Sequence, residues 1–432
     1  MSKRSKYILT AVKGWISQVN VRIAFKVLGS KFIIGSEPLE RNDSRESVDL
    51  YLIKEGTSIE SGGIGIWFRG LSWSSAKNLR DCLVYSSHGV TRLSGSSNRL
   101  DGNHYGFAKP QMFLLNFFRI GKTRKVFAKF GLDAEEVYNY FFVFFFIKYV
   151  NNLSNQRVKI ERIIVPIYEG YGAYLPHDWP VWVGLVSGTS HAIADLDISR
   201  KRYQGHYLPK IMKEQILLER YPNRIAISED ILSEYANVRS DEEFKISHPQ
   251  IFDPMKPKKS QQSIDLVTWE NRRNVILFLG RLEPRKGYDI LLKAWNLSNL
   301  ASQGFELHMC GEISNILSVE EQNSIGVKFK GRITTEEKSE YLSVCKLVVV
   351  PSRFESFGIV TIEAMAFGTP VLVANVNGLR YIASLAKSVN VFSGGDSLDC
   401  AIKMTELLNS RDQWNNSSMR SRKDFESYFL LS

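Results

Sequence analysis

The sequence is poor in cysteine and has no apolar run long enough to cross a membrane. Its four cysteines among 432 residues lie far apart, without a Cys-x-x-Cys pair or a histidine at zinc-ligand spacing, so neither a disulfide framework nor a metal site is expected. The longest apolar stretch, residues 137–150, is interrupted by Asn139 and Lys148 and is shorter than the roughly 20 residues of a spanning helix. It predicts a buried helix of the first domain, with an interfacial helix as the alternative.

A secretion signal is also lacking, because the basic start Met1–Lys6 is not followed by an apolar core and a small-residue cleavage site. A cytoplasmic protein is therefore expected. The net charge is +11, and residues 1–45, with nine basic and three acidic side chains, hold six of these charges. Apolar side chains lie among these cations, which suits a segment that contacts an anionic membrane surface; a solvated extension and an extra packed strand and helix are the alternatives. Helix-turn-helix, zinc and aromatic RNA-binding signatures are missing, so no nucleic acid partner is expected.

From about residue 46 onward, short β-branched or aromatic runs alternate with longer helical patterns, as in parallel sheets covered by helices. A segment rich in proline and lysine, residues 248–263, predicts an interdomain linker. We therefore predict an α/β fold with two Rossmann-like domains facing each other across a cleft. The predicted divisions are a basic N-terminal extension (1–45), an N-terminal domain (46–255) and a C-terminal domain (256–432), whose last helix either stays there or returns to the N-terminal domain.

The segment from Pro351 to Ala366 predicts an anion site at the start of a helix. A buried strand ends at Ser352, a loop carries Glu355, and the helix begins at about Gly358. Backbone N–H groups at a helix start lack acceptors within the helix and attract anions; here they belong to Phe357, Gly358, Ile359 and Val360. Glu363, whose side chain tilts back toward the helix start, is placed to reach a ribose hydroxyl beside a bound phosphate. Alternatively, both glutamates are solvated charges at the helix end.

A second cationic loop, within Phe278–Tyr288, follows another strand predicted to be buried. Arg281 and Lys286 can converge on a diphosphate, since arginine offers a planar fork and lysine a compact charge. The alternative is that both are simply solvated. Arg285, between them in the loop, is expected to be exposed.

Several motifs resemble, in their order and spacing, those of family-4 glycosyltransferases, which are retaining enzymes of the GT-B fold. The motifs are Gly280-Arg-Leu with Lys286-Gly287, Leu307–Gly311, Val327–Gly331, Glu355 with Glu363, and Gly368-Thr-Pro370; the match is dense over residues 225–385. The resemblance implies that Arg281 and Lys286 hold the donor diphosphate, Glu363 the ribose and Glu355 the donor sugar. It also implies that main-chain groups around Gly311 and Arg332 flank the nucleobase.

The resemblance extends to the N-terminal domain, and it implies that this domain binds the acceptor. Ser61–Gly65, with Gly62 and Gly63, is similar to the family's glycine-rich loop near the donor phosphate and the acceptor. The family often places a histidine in the cleft after a middle strand. His191 fits that place, with His206 as the competing candidate.

The implied activity is metal-independent, retaining transfer of a hexosyl-type sugar from a nucleotide-diphosphate sugar to a glycan or lipid-linked acceptor, with no cofactor besides the donor. The implied displacement is front-face, with no dedicated general base and with His191 either orienting the sugar or shielding the oxocarbenium-like centre. The expected location is cytoplasmic, and the basic residues 1–45 leave open a peripheral place on the cytoplasmic membrane face. The sequence departs from the family pattern at Ser247–Asp253 and near Arg380. A nucleotide-sugar-binding pseudoenzyme or scaffold is the alternative.

Overall fold

The computed structural model describes residues 47–54, 62–77, 81–86, 89–93, 104–106, 134–155, 158–193, 198–235, 244–255, 268–312 and 325–431. By their contacts, these residues form two compact units. Unit 1 contains most of the described chain from 47 to 225, and unit 2 contains residues 62–70, 226–235 and the chain from 245 onward. The predicted boundary at residue 255 and the basic extension 1–45 stay predictions, because residues 1–46 and most of the predicted linker lie outside the described part.

The sheet of unit 1 is mixed, with eight strands in the order β4-β3-β2-β1-β5-β6-β7-β8. The strand β1 pairs in parallel with β2 and β5, and β5 pairs in parallel with β6. The strands β3 and β4 continue the sheet antiparallel beyond β2. The bounds are β1 Ser47–Ile53, β2 Asp81–Ser86, β3 Gly89–Leu93, β4 His104–Gly106, β5 Lys159–Pro166, β6 Val181–Leu185, β7 Asn223–Ala226 and β8 Phe244–Ile246.

The sheet of unit 2 has six strands, all parallel, in the order β11-β10-β9-β12-β13-β14. Its central strand β12 and its neighbour β13 are buried along their whole length, which is why their sequences are apolar apart from Lys346. The bounds are β9 Arg273–Leu279, β10 Glu306–Cys310, β11 Val327–Gly331, β12 Cys345–Val350, β13 Val371–Ala374 and β14 Asn390–Phe392.

Helices connect these strands. The α-helices are α1 Gly62–Lys77, α2 Ala134–Asn155, α3 Thr189–Ile193, α4 Leu208–Arg220, α5 Glu229–Tyr235, α6 Tyr288–Ser298, α7 Thr335–Val344, α8 Ile359–Ala366, α9 Asn377–Leu385, α10 Ser397–Asn409 and α11 Arg411–Asp424. Shorter helical turns lie at Tyr168–Tyr174, Arg200–Arg202, Tyr203–Tyr207, Trp269–Asn271, Pro284–Lys286, Leu300–Gln303 and Phe425–Phe429. The two α/β units confirm the predicted fold class.

The phenylalanine-rich segment lies in α2, as predicted, and is largely buried. Phe142, Val143 and Phe146 are fully covered. Among the described residues, no helix has the length and apolarity needed to cross a bilayer. The packing of α2 therefore follows from its apolar side chains filling the core of unit 1.

The last helix, α11, packs within unit 2. Its Arg422 makes a charged pair with Asp253 and donates to the carbonyl of Ala366, and a bridge joins Ile251 to Leu430 just beyond the helix. Arginine can satisfy several acceptors at once because its guanidinium carries five N–H donors. This one side chain therefore joins the end of the chain to α8 and to residues 251–253.

Candidate functional site

The candidate site of unit 2 lies at the carboxyl ends of its central strands. Gly311, directly after β10, comes so close to the loop after β9 that a Cβ there would lie 1.8 Å from the carbonyl oxygen of Gly280. The N–H of Gly311 donates to the carbonyl of Gly331 at 2.7 Å, and the exposed Arg332 follows. The structure thus brings together the two places predicted to flank a nucleobase.

The cationic loop after β9 is held against the loop after β12. Gly287 has φ 69°, and a Cβ on it would lie 1.9 Å from the carbonyl oxygen of Pro351. Arg353 donates its backbone N–H to the carbonyl of Arg285 at 2.8 Å and binds both carboxylate oxygens of Asp289 at 2.7 Å each. Such a two-point contact fixes orientation as well as distance, so the loop after β12 is held in one position against the segment that follows β9.

Lys286 and Glu355 meet across these loops, with the ammonium contacting Oε1 of the carboxylate. Ser352 also donates its hydroxyl to that oxygen at 3.2 Å. Burial alone would raise the pKa of Glu355, but Lys286 and Arg285 outweigh it and the pKa of this carboxyl is lowered. Glu355 therefore carries its charge inside the site, at only 12% side-chain exposure.

The expectation that Arg285 is exposed is wrong. Its side chain is 18% exposed, donates to the carbonyl of Phe354 at 3.4 Å and pairs with Glu283 at 2.9 Å. Arg281 also pairs with Glu283, at 3.2 Å, but remains 58% exposed. The predictions overlooked Glu283, although an acid between three cations in a short loop could have indicated such a shared partner.

The helix start predicted near Gly358 is present. Gly358 is the N-cap with φ 99°, and α8 begins at Ile359. Ile359 and Val360 are partly exposed, and their backbone N–H groups have no acceptor within the helix. The hydroxyl of Thr361, which is fully buried, has no hydrogen-bond partner among the described residues.

The side chain of Phe357, by contrast, belongs to the core. Its ring is 1% exposed and lies against the rings of His248, Tyr381 and Phe429. Only its backbone is therefore placed to contact a ligand. The aromatic packing explains why this position is apolar beside a polar site.

Glu363 lies one turn into α8, where the sequence placed it. Its Oε1 accepts from the ammonium of Lys338 at 2.7 Å, and the two side chains are 13% and 25% exposed. Lys338 was not predicted as a site residue. It lies one residue beyond the capping box that Thr334 and Glu337 form at the start of α7, and no motif indicates a role for it.

In unit 1, four charged side chains form a closed ring at the carboxyl ends of β1 and β5. Lys54 contacts Glu135 at 3.1 Å and Glu169 at 2.7 Å, and Lys210 contacts the same two carboxylates at 2.8 and 2.9 Å. Burial would raise the pKa of Glu135, but Lys54 and Lys210 lower it to about 2. The predictions overlooked this ring because its members are far apart in sequence.

His191 lies in α3, the short helix that follows β6. Its Nδ1 accepts from the backbone N–H of Gly188 at 3.2 Å, which leaves Nε2 as the protonated nitrogen of the neutral ring. The start of α3 is held by Glu214, which accepts from the N–H and the hydroxyl of Thr189. His206, the competing candidate, lies 4.0 Å from Glu135. The choice between the two histidines stays a prediction.

The glycine loop was predicted too long. Gly62 and Gly63 form the first turn of α1 rather than a loop, because the apolar pattern of the helix already begins there and the buried Ile66, Trp67 and Phe68 follow on it. The indole of Trp67 donates to the carbonyl of Ser247 at 2.5 Å. The glycines therefore offer a helix start.

Metal ligands were not expected, and the described residues contain no group of three or more His, Cys, Asp or Glu side chains arranged to hold a metal ion. The predicted independence of metals is a separate matter of mechanism and stays a prediction.

Comparisons with known proteins give a family match over part of the chain and a fold for nearly all of it. Residues 261–424 match the family described as glycosyl transferases group 1. The chain is 29% identical over 170 residues to a D-inositol 3-phosphate glycosyltransferase of Corynebacterium diphtheriae, covering 37% of this chain and 40% of that protein. The chain thus spans well under half the length of the curated relatives it matches.

Two solved structures resemble nearly the whole chain. Sucrose-phosphate synthase from Thermosynechococcus elongatus has a TM-score of 0.58 at 18% identity, covering 89% of this chain and 95% of that one. Anabaena HepE, in complex with UDP-glucose, has a TM-score of 0.53 at 13% identity, covering 89% and 96%. At these identities the likeness shows the fold, which is GT-B.

Proposed function

This chain carries a group 1 glycosyl transferase domain over residues 261–424, and from that premise we propose that it is a family-4 retaining glycosyltransferase. It would transfer a hexosyl-type sugar from a nucleotide-diphosphate sugar to a glycan or lipid-linked acceptor. The observation that supports this most directly is the pairing of Lys286 with an ionised, largely buried Glu355 beside the start of α8. A cation, an anion and a helix start in one place suit a ligand that has both a diphosphate and a sugar.

The leaving diphosphate has three sources of positive potential in this proposal. Lys286 and Arg281 supply full charges, and the backbone N–H groups of Ile359 and Val360 supply the partial charge of a helix start. Preorganised groups of this kind stabilise a leaving group electrostatically, so no metal or cofactor is needed. Glu355 is left to accept hydrogen bonds from sugar hydroxyls.

The acceptor would bind to unit 1. There His191 would orient the transferred sugar, and the charged ring that includes Lys210 would stabilise the edge of the sheet. We propose front-face displacement, in which the departing phosphate oxygen takes the acceptor proton. HepE has been solved with UDP-glucose, which supports a nucleotide-diphosphate sugar as the donor class.

The proposal is tested by thermal stabilisation against UDP-, GDP-, ADP- and dTDP-sugars, followed by assays of transfer and of donor hydrolysis. A ligand at 100 times its Kd should stabilise the protein by about 2.7 kcal/mol. Glu363→Gln and Lys286→Met should reduce this effect, and Lys403→Met should not, because this lysine is 40% exposed on α10 and pairs with Glu406. Binding without hydrolysis or transfer to any acceptor would favour the scaffold, and absence of any binding would contradict both functions.

We also propose a peripheral location on the cytoplasmic membrane face, on the strength of the basic segment 1–45. Full-length protein should sediment with vesicles containing phosphatidylserine more than with phosphatidylcholine vesicles, and the difference should shrink at high salt. Replacing Lys3, Arg4 and Lys6 by serine should weaken the association. Equal sedimentation with both vesicles would contradict the membrane proposal without touching the catalytic one.

A further inference from the structure

Lys338 has a fixed place in the first turn of α7. The capping box ahead of it is complete, since Thr334 accepts from the N–H of Glu337 at 3.1 Å and Glu337 accepts from the N–H of Thr334 at 2.7 Å. The N–H of Lys338 then donates to the carbonyl of Thr334 at 2.9 Å. The backbone from which this lysine extends is therefore held by three hydrogen bonds.

The side chain of Lys338 reaches the neighbouring helix α8. Its ammonium donates to Oε1 of Glu363 at 2.7 Å, and among the described residues this is the hydrogen bond that the carboxylate receives. Glu363 is 13% exposed, so it is withdrawn from bulk water. A carboxylate has two oxygens with about four acceptor sites, and an ammonium has three donors. The carboxylate can therefore accept, and the ammonium donate, further hydrogen bonds to a ligand.

We propose that Lys338 is a positioning residue for the ribose of the nucleotide, holding Glu363 so that Oε2 faces the ribose hydroxyls. This rests on the proposed function, which assigns the ribose to Glu363. With Oε1 held by the ammonium, the carboxylate cannot rotate freely between orientations. A second donor of the ammonium is then available to a hydroxyl oxygen, so one ribose hydroxyl could both donate to Glu363 and accept from Lys338.

The test is the preference of the protein for ribose over deoxyribose. Calorimetry would compare UDP, GDP, ADP and CDP with their 2′-deoxy counterparts for the wild type, Lys338→Met, Lys338→Arg and the matched control Lys293→Met on the exposed face of α6. A hydrogen bond to a charged group gives about a tenfold preference or more, which we expect in the wild type. Lys338→Met should lower this preference at least fivefold, Lys338→Arg should retain most of it, and Lys293→Met should change nothing.

The outcomes separate this inference from the proposed function. An unchanged ribose preference in Lys338→Met, together with its loss in Glu363→Gln, would assign the lysine a structural role and overturn the inference alone. Tighter binding of dTDP than of UDP would also overturn it. If no nucleoside diphosphate binds the wild type, dTDP included, the proposed function fails and this inference falls with it; binding of dTDP alone would overturn this inference and leave the proposed function standing. Thermal unfolding of each variant shows whether a change in preference accompanies a loss of folding.

Discussion

Lys286 and Glu355 join the loop after β9 to the loop after β12 through a contact between the ammonium and Oε1. The lysine is 22% exposed and the glutamate 12%, so water screens the pair less than a surface pair. The contact sets two groups of opposite charge side by side at the edge where parallel sheets bind ligands. Several consequences can be measured without knowing the substrate.

The first concerns pH. Because the folded state lowers the pKa of Glu355, its carboxylate stabilises the fold at pH values above its ordinary pKa of 4.5, and this contribution is lost as the pH falls through the lowered value. Glu355→Gln should remove the effect and lower stability at pH 7 by about 1–3 kcal/mol, because Lys286 loses its counter-ion. Thermal unfolding between pH 3 and pH 7 measures both; parallel curves for the two proteins would refute the assignment.

The second concerns Gly287. Replacing it by alanine places a Cβ 1.9 Å from the carbonyl oxygen of Pro351 at a φ of 69°, so the two loops must separate. We expect Gly287→Ala to lower the free energy of unfolding by at least about 2 kcal/mol. Gly304→Ala is the matched control, because its φ is 81° but no atom lies within 4 Å of the new Cβ, and it should cost about 1 kcal/mol. Equal losses would show that the loops are not tightly apposed.

The third concerns two buried threonines. The Thr361 hydroxyl has no partner among the described residues, whereas that of Thr369 accepts from Arg272 and donates to the carbonyl of Leu342. Thr361→Val should therefore raise the stability of the unliganded protein by about 1 kcal/mol, and Thr369→Val should lower it by about 1–3 kcal/mol. Chemical denaturation distinguishes the two. If Thr361→Val also destabilises the protein, the Thr361 hydroxyl makes a hydrogen bond and the prediction is wrong.

The fourth concerns Glu214, whose Oε1 accepts from the backbone N–H groups of Glu169 and Thr189. Burial raises the pKa of this carboxyl against the hydrogen bonds that favour its charged form. The wild type should thus lose stability as the pH rises from the ordinary pKa of 4.5 through the raised value, by about 1.4 kcal/mol for each pH unit that separates the two. Glu214→Gln should lack this loss, so the difference between the two proteins should grow with pH.

A suitable control for Glu214→Gln is Glu219→Gln, an exposed position of the same helix. It should follow the pH profile of the wild type. A constant difference between Glu214→Gln and the wild type from pH 4 to pH 8 would contradict the raised pKa.

Elements with strong local signals were predictable. The helix expected to begin at about Gly358 has Gly358 as its N-cap and begins at Ile359. The pattern of β12 was also sufficient, because a strand buried on both faces is mostly apolar, as Leu347–Val350 are. The start of α1 was placed too late, since glycines usually indicate a loop and the helix begins on them.

Pairings between distant residues were not predictable. Arg285 was expected to be exposed, but it donates to the carbonyl of Phe354, 69 residues away in a loop that only the sheet brings close. The same holds for Lys338 with Glu363, 25 residues apart, and for the ring that joins Lys54 to Lys210 through Glu135 and Glu169.

The sequence by itself determined the two α/β units and the chemical types of the site residues, because hydrophobic periodicity, capping and glycine positions act over a few residues and are readable along the chain. Only the tertiary structure decided which charges meet. The reason is that parallel strands adjacent in a sheet, such as β9 and β12, are distant in sequence, so the partner of a side chain at a strand end depends on strand order and loop path. Glu355 is charged, buried and paired with Lys286 for that reason.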